Sequence, residues 1–104
     1  MNLVDYVKVC DIAEVSLGSM HPVDVAGMRL MIANVNGQLY ATDRICTHEE
    51  ADLSTGFLVG SIVTCPLHLS RFDLVTGEVQ NTPASVPLKT YSLKVEGTSV
   101  YVLL

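Results

Sequence analysis

The chain has 104 residues, a size that fits one domain with a modest hydrophobic core. Hydrophobic residues make up 49% of it and charged residues 16%, which excludes a disordered chain. Lys and Arg total 6 against 11 Asp and Glu, giving a net charge of −5, so the surface repels phosphate and we expect no nucleic-acid binding.

Composition also bears on the cellular location. The densest apolar run, residues 28–35, is far shorter than the ~20 residues that a membrane-spanning helix needs. The N-terminal residues lack the basic region of a signal peptide, and the three cysteines have no disulfide-framework spacing. We therefore expect a cytoplasmic protein without a membrane contact.

The first predicted elements are a short helix and a hairpin. Asp11 as N-cap, with Glu14 three residues later, predicts a helix that ends at Gly18. Further along, Asn36-Gly37 separates two apolar runs, residues 28–35 and 38–42. Both residues tolerate positive φ, so this pattern predicts a hairpin with a type I′ turn.

The C-terminal part shows a second hairpin pattern. Residues 90–95 and 99–103 are joined by Glu96-Gly97-Thr98, and alternation of apolar and polar residues around Leu93 and Val95 predicts a half-buried strand. Between the hairpins, from residue 45 to about residue 82, turn formers and short strands such as residues 60–64 replace this pattern. This middle part reads as an inserted subdomain.

The middle part carries two Cys/His pairs. Cys46 and His48 are one residue apart, and Cys65 and His68 two residues apart, with Pro66 stiffening the second pair's loop. Thiolates and imidazoles on two loops that meet would close around one metal centre. By donor type alone, structural zinc and an iron–sulfur cluster remain equally open.

The residues around these pairs resemble those of Rieske-type [2Fe–2S] ferredoxins. Residues 65–77 are similar to the family's second cluster loop and the turn after it, with Arg71-Phe72-Asp73 after the second His. Residues 81–83 and 86–91 resemble the Pro-bearing loop and the return strand beneath the cluster. The similarity covers roughly residues 45–95.

The resemblance implies a fold and a cofactor. We expect one all-β domain over residues 1–104, with a β-sandwich or barrel-like base (1–44 and 83–104) and a small inserted cluster-binding subdomain (about 45–82). The cofactor would be a [2Fe–2S] cluster. Four ligands would hold it. Cys46 and Cys65 would bind the inner iron, and His48 and His68 would bind the outer, redox-active iron.

The resemblance also implies a function. The respiratory members carry an extra cysteine in each cluster loop, and Ala51 and Leu67 stand at those positions here. The chain is therefore similar to the ferredoxins of aromatic-ring-hydroxylating dioxygenase systems. We expect a monomeric one-electron carrier, not an enzyme, that shuttles electrons from a flavin-dependent NAD(P)H reductase to a terminal oxygenase in aromatic hydrocarbon catabolism. A Rieske small subunit of another oxidoreductase, such as nitrite reductase, and a structural Cys2His2 zinc module remain alternatives.

Some further residues receive roles from their positions. Ser70 stands where the respiratory family has a serine that bonds a bridging sulfide, so it is a candidate for tuning the potential. Glu49 and Glu50 follow His48 and are candidates for partner docking. Cys10 is expected to be a small buried residue without function. No function is predicted for His21, which is expected in a loop without a ligand partner nearby.

Overall fold

The computed structural model describes residues 6–47, 50–67, 69–81 and 86–104. Strands and turns dominate these residues, which confirms the predicted all-β fold. The strands are β1 (Tyr6–Asp11), β2 (Met20–Val25), β3 (Met28–Val35), β4 (Gln38–Asp43), β5 (Phe57–Val59), β6 (Ile62–Thr64), β7 (Arg71–Asp73), β8 (Thr90–Tyr91), β9 (Leu93–Glu96) and β10 (Ser99–Leu103). Two 3₁₀ turns, Ile12–Glu14 and Leu53–Thr55, complete the described elements. No helix in the described ranges has the length and apolar character needed to span a lipid bilayer.

The strands form three antiparallel sheets. One has the order β1-β10-β9, a second β2-β3-β4-β8, and a third β5-β6-β7. The first two sheets combine strands from both ends of the chain, whereas the third is built from a continuous stretch between β4 and β8. The sheet that is local in sequence therefore lies within the range predicted for the inserted subdomain.

The first predicted hairpin is confirmed. β3 pairs with β4 from Val35 and Gln38 onward, across a turn whose two residues both have positive φ, 54° for Asn36 and 93° for Gly37. The side-chain oxygen of Asn34 accepts a hydrogen bond from the Gly37 N–H at 2.8 Å and closes the turn. This conformation is why Asn-Gly is favoured here.

Strand β3 separates two hydrophobic cores, because successive side chains of a strand point to opposite faces. Leu30 and Ile32 lie in the first core, while Met31, Ala33 and Val35 lie in the second. The first core consists of Cys10, Val15, Val23, Leu30, Ile32, Ala41, Val100 and Val102. The second core consists of Met31, Ala33, Val35, Cys46, Ala51, Leu53, Val63, Cys65, Phe72, Leu74 and Leu88. Burial on both faces accounts for the four consecutive apolar residues at positions 30–33 of β3.

The predicted helix after β1 is wrong in its length. Only one 3₁₀ turn forms, and it ends at Glu14, four residues before Gly18. The Gly18 N–H donates instead to the Asn34 carbonyl at 2.9 Å, so the chain is drawn onto the neighbouring hairpin. The capping interaction itself is present, since the Glu14 Oε2 atom accepts from the Asp11 N–H at 2.8 Å.

The second predicted hairpin is correct only in part. β9 and β10 pair as expected, but the predicted first strand is broken at Ser92. Thr90 and Tyr91 belong to the other sheet, where they pair with β4. The Tyr91 hydroxyl donates to the Asp43 carboxylate at 2.6 Å and holds β8 in that sheet. Val95 is exposed, contrary to the expectation of a half-buried position.

Candidate metal centre

Cys46 and Ala51 bound the segment of residues 46–51, which is called the first loop. The backbone N–H of Cys46 donates to the carbonyl of Ala51 at 2.9 Å. One step outside this bond, the Leu53 N–H donates to the carbonyl of Arg44 at 2.8 Å. The two ends of the loop are therefore joined, and the backbone of Cys46 is fixed at the start of the loop.

Cys65 begins a second loop, residues 65–70, which closes in the same way. Its N–H donates to the carbonyl of Ser70 at 2.7 Å, and the Leu69 N–H donates back to the Cys65 carbonyl at 3.1 Å. Leu69 lies in the left-handed region with φ of 62°, which costs a branched L-residue ~1–2 kcal/mol. The chain reverses sharply within this loop before entering β7.

The two loops bring both cysteines into one environment. Cys46 is 4% exposed and Cys65 1% exposed, and both lie in the second core. Ser70, at the other end of the loop that Cys65 begins, is fully buried. The other predicted ligands, His48 and His68, lie outside the described residues, as does Glu49.

Side chains that the sequence analysis missed connect these loops to the segments around them. The Thr47 hydroxyl donates to the Val86 carbonyl at 2.7 Å. The Asn81 side chain contacts the second loop and the strand after it: its Nδ2 donates to the Leu69 carbonyl at 3.3 Å, and its Oδ1 accepts from the N–H of Arg71 in β7 at 2.7 Å. The resemblance of residues 81–83 to the family's Pro-bearing loop could have pointed to Asn81 as a structural residue. No local sequence pattern singles out Thr47.

Gly56 allows the segment that follows the first loop to pack against the second loop. It has negative φ, −84°, so its backbone does not require glycine. Space does: a Cβ at this position would overlap the Thr64 carbonyl oxygen and lie 3.2 Å from the Cδ of Pro66. The residue just after Cys65 is thus packed against a backbone with no side chain.

Arg44 joins the first loop to the base. Its side chain is 8% exposed, with Nη2 2.7 Å from Asp24 Oδ1 and Nε 3.5 Å from Asp52 Oδ2. The other Asp52 oxygen, Oδ1, accepts from the Ser54 N–H at 2.9 Å. A buried guanidinium between two carboxylates therefore ties β2 to the end of the first loop.

The outer surface of the loops is mainly apolar where it is described. Leu67, Leu69 and Val86 are exposed. Glu50, one of the two candidate docking residues, is exposed and forms an ion pair with Arg29, whose Nη2 lies 3.2 Å from Glu50 Oε1. The charge of Glu50 is therefore partly compensated within the chain.

Cys10 and His21 lie outside the two loops. Cys10 is buried in the first core, as expected, and its pKa is raised to about 11 by burial and by the carboxylates of Glu14 and Asp11. His21, however, lies in β2 and not in a loop. Its Nε2 is 3.8 Å from Glu14 Oε1, and Cys10 lies in the same group, so the expectation that His21 has no ligand partner nearby is wrong.

Comparison with known proteins gives consistent matches. The family model of the Rieske [2Fe-2S] domain matches residues 5–92. The ferredoxin component of a naphthalene 1,2-dioxygenase system from Pseudomonas aeruginosa is 41% identical over 99 residues, covering 95% of this chain and 92% of that protein. The solved ferredoxin of Sphingomonas yanoikuyae B1 is 34% identical, with a TM-score of 0.91, covering 96% of this chain and 99% of that one. A chain in the solved complex of reduced oxygenase and oxidized ferredoxin in carbazole 1,9a-dioxygenase is 35% identical, with a TM-score of 0.89, covering 94% of this chain and 92% of that one.

Proposed function

This chain belongs to the Rieske [2Fe–2S] family, and we propose that it delivers single electrons to the terminal oxygenase of a ring-hydroxylating dioxygenase system. It is an electron-transfer protein of the ferredoxin type that binds a [2Fe–2S] cluster, as its relatives indicate. The observation that carries the proposal is the matched pair of loops begun by Cys46 and Cys65, which hold both thiols in one core.

The described part of the donor set fits the cofactor. Cys46 and Cys65 provide two thiols on loops with the same closure, and we assign them as ligands of one iron. We assign His48 and His68, on the same two loops, as ligands of the other iron. When bound, the [2Fe–2S] cluster supplies a site that accepts and releases one electron.

The protein's own residues orient the thiols and exclude water from them. The paired bonds to Ala51 and Ser70 fix the backbone at each cysteine, and the second core covers the side chains with apolar groups. Low solvent exposure and hydrogen bonds to the sulfurs are two factors that set the reduction potential of such a cofactor. The buried Ser70 hydroxyl is proposed as one such hydrogen-bond donor.

The proposed partner contact is the exposed end of the two loops. Leu67 and Leu69 of the second loop are exposed, as is Val86, which contacts Thr47 of the first loop, and these apolar side chains suit a transient contact with an oxygenase. The carbazole dioxygenase complex supports an oxygenase as the partner, because it contains an oxygenase together with a ferredoxin. Glu49 and Glu50 are proposed to assist docking onto basic patches of a partner. The contribution of Glu50 is limited, because its charge is partly compensated by the ion pair with Arg29.

Electron supply and location complete the proposal. We propose that a flavin-dependent NAD(P)H reductase reduces the chain in the cytoplasm and that the chain acts as a monomer. Light scattering of the loaded protein should give the mass of one chain, 11.2 kDa plus the cofactor. We further propose that residues 45–82 act as the cluster-binding subdomain on a base formed by residues 1–44 and 83–104.

The test is direct electron transfer. Protein purified anaerobically is assayed for iron and sulfide, reduced with dithionite, and mixed with the oxidised oxygenase of a naphthalene 1,2-dioxygenase system. Loss of this chain's reduced-cluster EPR signal on mixing, well beyond the loss seen when buffer replaces the oxygenase, supports the proposal, and a Cys46→Ser variant without iron should give no such signal before mixing. A colourless protein without iron, or a reduced signal that persists with the oxygenase, contradicts it.

A further inference from the structure

A second group of metal-ligand side chains lies outside the two loops. Cys10 is at the end of β1, Glu14 ends the 3₁₀ turn that follows, and His21 is on β2. One ligand atom from each lies within 4.8 Å of the others. Cys10 belongs to the first core, whereas Cys46 and Cys65 belong to the second, so this group is separate from the proposed cluster ligands.

The Glu14 carboxylate is already oriented within this group. Its Oε2 accepts a hydrogen bond from the Asp11 N–H at 2.8 Å, which fixes the carboxylate at the start of the turn. Its other oxygen, Oε1, lies 3.8 Å from the Nε2 of His21. Carboxylates that bind metals are typically held by such an outer hydrogen bond, which orients the ligand oxygen.

The distances fit a small metal ion after a modest closure. In a tetrahedral zinc site, bond lengths of about 2.0–2.3 Å place neighbouring ligand atoms ~3.5 Å apart. Cys10 is 5% exposed and stays where the first core holds it. The side chains of Glu14 and His21 are 51% and 29% exposed, so both have room to move the remaining distance.

The charges in this corner favour a divalent cation. Glu14 and Asp11 are both negative, and the nearby Lys8 is 3.2 Å from Asp11 and compensates that carboxylate. One thiolate and one carboxylate as ligands would neutralise the two charges of a bound dication, and the proton of the Cys10 thiol would be released to solvent on binding.

We propose that Cys10, Glu14 and His21 form a mononuclear Zn²⁺ site, with Cys10 Sγ, a Glu14 carboxylate oxygen and a His21 imidazole nitrogen as ligands and water in the fourth position. A mixed sulfur, nitrogen and oxygen set suits Zn²⁺, whereas Mg²⁺ and Ca²⁺ take oxygen ligands. The site would pin the 3₁₀ turn between β1 and β2. The proposal is independent of the electron-transfer role.

The test measures zinc on the iron-loaded protein. Holoprotein is dialysed anaerobically against low-micromolar ZnCl2, and zinc and iron per chain are measured together. We expect one zinc per chain beside an unchanged iron content, and zinc-edge X-ray absorption with one sulfur neighbour at ~2.3 Å. Glu14→Gln and His21→Gln, both at accessible positions that can be changed without disturbing the core, should each lower zinc binding at least tenfold.

Controls separate this site from other zinc binding. Glu78→Gln removes an exposed carboxylate elsewhere and should keep one zinc per chain. Cys10→Ala should remove the sulfur neighbour from the zinc spectrum. Wild-type protein that keeps its iron but retains no zinc overturns the proposal, since Glu14 and His21 are then only neighbours at 3.8 Å. Zinc binding that survives both Glu14→Gln and His21→Gln also overturns it. Neither result affects the electron-transfer assay, which reads iron and reduction alone.

Discussion

The Thr47 hydroxyl donates a hydrogen bond to the Val86 carbonyl oxygen at 2.7 Å, across 39 positions of sequence. It joins the first loop to the segment that leads into β8. In the chain, Thr47 lies between two proposed ligands, Cys46 and His48. The bond is exposed, so its net stabilisation is modest, but it links two parts of the molecule whose order in sequence does not bring them together. Loop geometry at the site thus depends on a contact with the base.

Thr47→Val should loosen this connection while keeping the side chain's shape. We expect a loss of about 0.5–1.5 kcal/mol in the free energy of unfolding by urea, and faster bleaching of the cluster in air. Thr47→Ser keeps the hydroxyl and should behave like the wild type in both measurements. Equal bleaching rates for Val and Ser variants would show that the bond to Val86 does not protect the site.

Gly56→Ala should disturb the second loop through steric overlap. The added Cβ would meet the Thr64 carbonyl and Pro66, so the backbone before Cys65 must shift, at a cost of about 1–3 kcal/mol. Gly97→Ala is the control, because nothing lies within 4 Å of its Cβ position and only its positive φ of 61° is unfavourable. Iron content per folded chain should fall for Gly56→Ala alone. Similar iron content in the two variants would argue against a role for this packing.

Ser70→Gly tests the proposed tuning of the potential. A hydrogen bond from the Ser70 hydroxyl that favours the reduced state by roughly 1 kcal/mol raises a one-electron potential by about 40 mV. Its removal should lower the midpoint by that amount in a redox titration. Ser70→Ala, which keeps the Cβ and backbone freedom of an ordinary residue, should give the same drop. An unchanged midpoint in both variants would remove Ser70 from the tuning residues.

Arg44→Lys should weaken the tie between β2 and the first loop. Lysine cannot reproduce a planar guanidinium that faces Asp24 at 2.7 Å and Asp52 at 3.5 Å together. We expect a loss of about 1–3 kcal/mol in thermal or urea unfolding, since the ammonium is left poorly paired in a buried position. Asp24→Asn, at an exposed carboxylate, should cost well under half as much. A fully stable Arg44→Lys protein would contradict this account.

Tyr91→Phe should change how stability depends on pH. Burial and the hydrogen bond to Asp43 raise the pKa of the Tyr91 hydroxyl above its ordinary value of 10.0. Above pH 10 the unfolded chain releases this proton before the folded chain does, so the wild type loses stability as pH rises. The variant should be less stable by about 1 kcal/mol at pH 7 and should lack this part of the alkaline decline. Unfolding curves at pH 7 to 11 measure it, and parallel slopes for both proteins would contradict the assignment.

The local features of the fold were predictable from the sequence. The turn at Asn36-Gly37 needs only two residues that accept positive φ between apolar runs, and the capping pair Asp11 and Glu14 needs only a spacing of three. The loop cysteines, Cys46 and Cys65, were likewise recognisable from their spacing to a histidine. Each of these signals lies within a few neighbouring residues, where backbone sterics and hydrogen bonds act.

The tertiary structure alone decided which distant residues meet. β8 leaves the strand predicted for residues 90–95 because the Tyr91 hydroxyl finds Asp43 in another sheet. The Thr47–Val86 hydrogen bond and the contact between His21 and Glu14 likewise depend on the tertiary arrangement of the strands, which the local sequence pattern does not encode. Local sequence patterns therefore predicted the turn and the two Cys/His motifs, and the resemblance of the residues around those motifs to the Rieske family predicted the fold class. The partners of these residues were set by the burial of two cores on either side of β3, because apolar packing is non-directional and any apolar neighbour satisfies the same pattern.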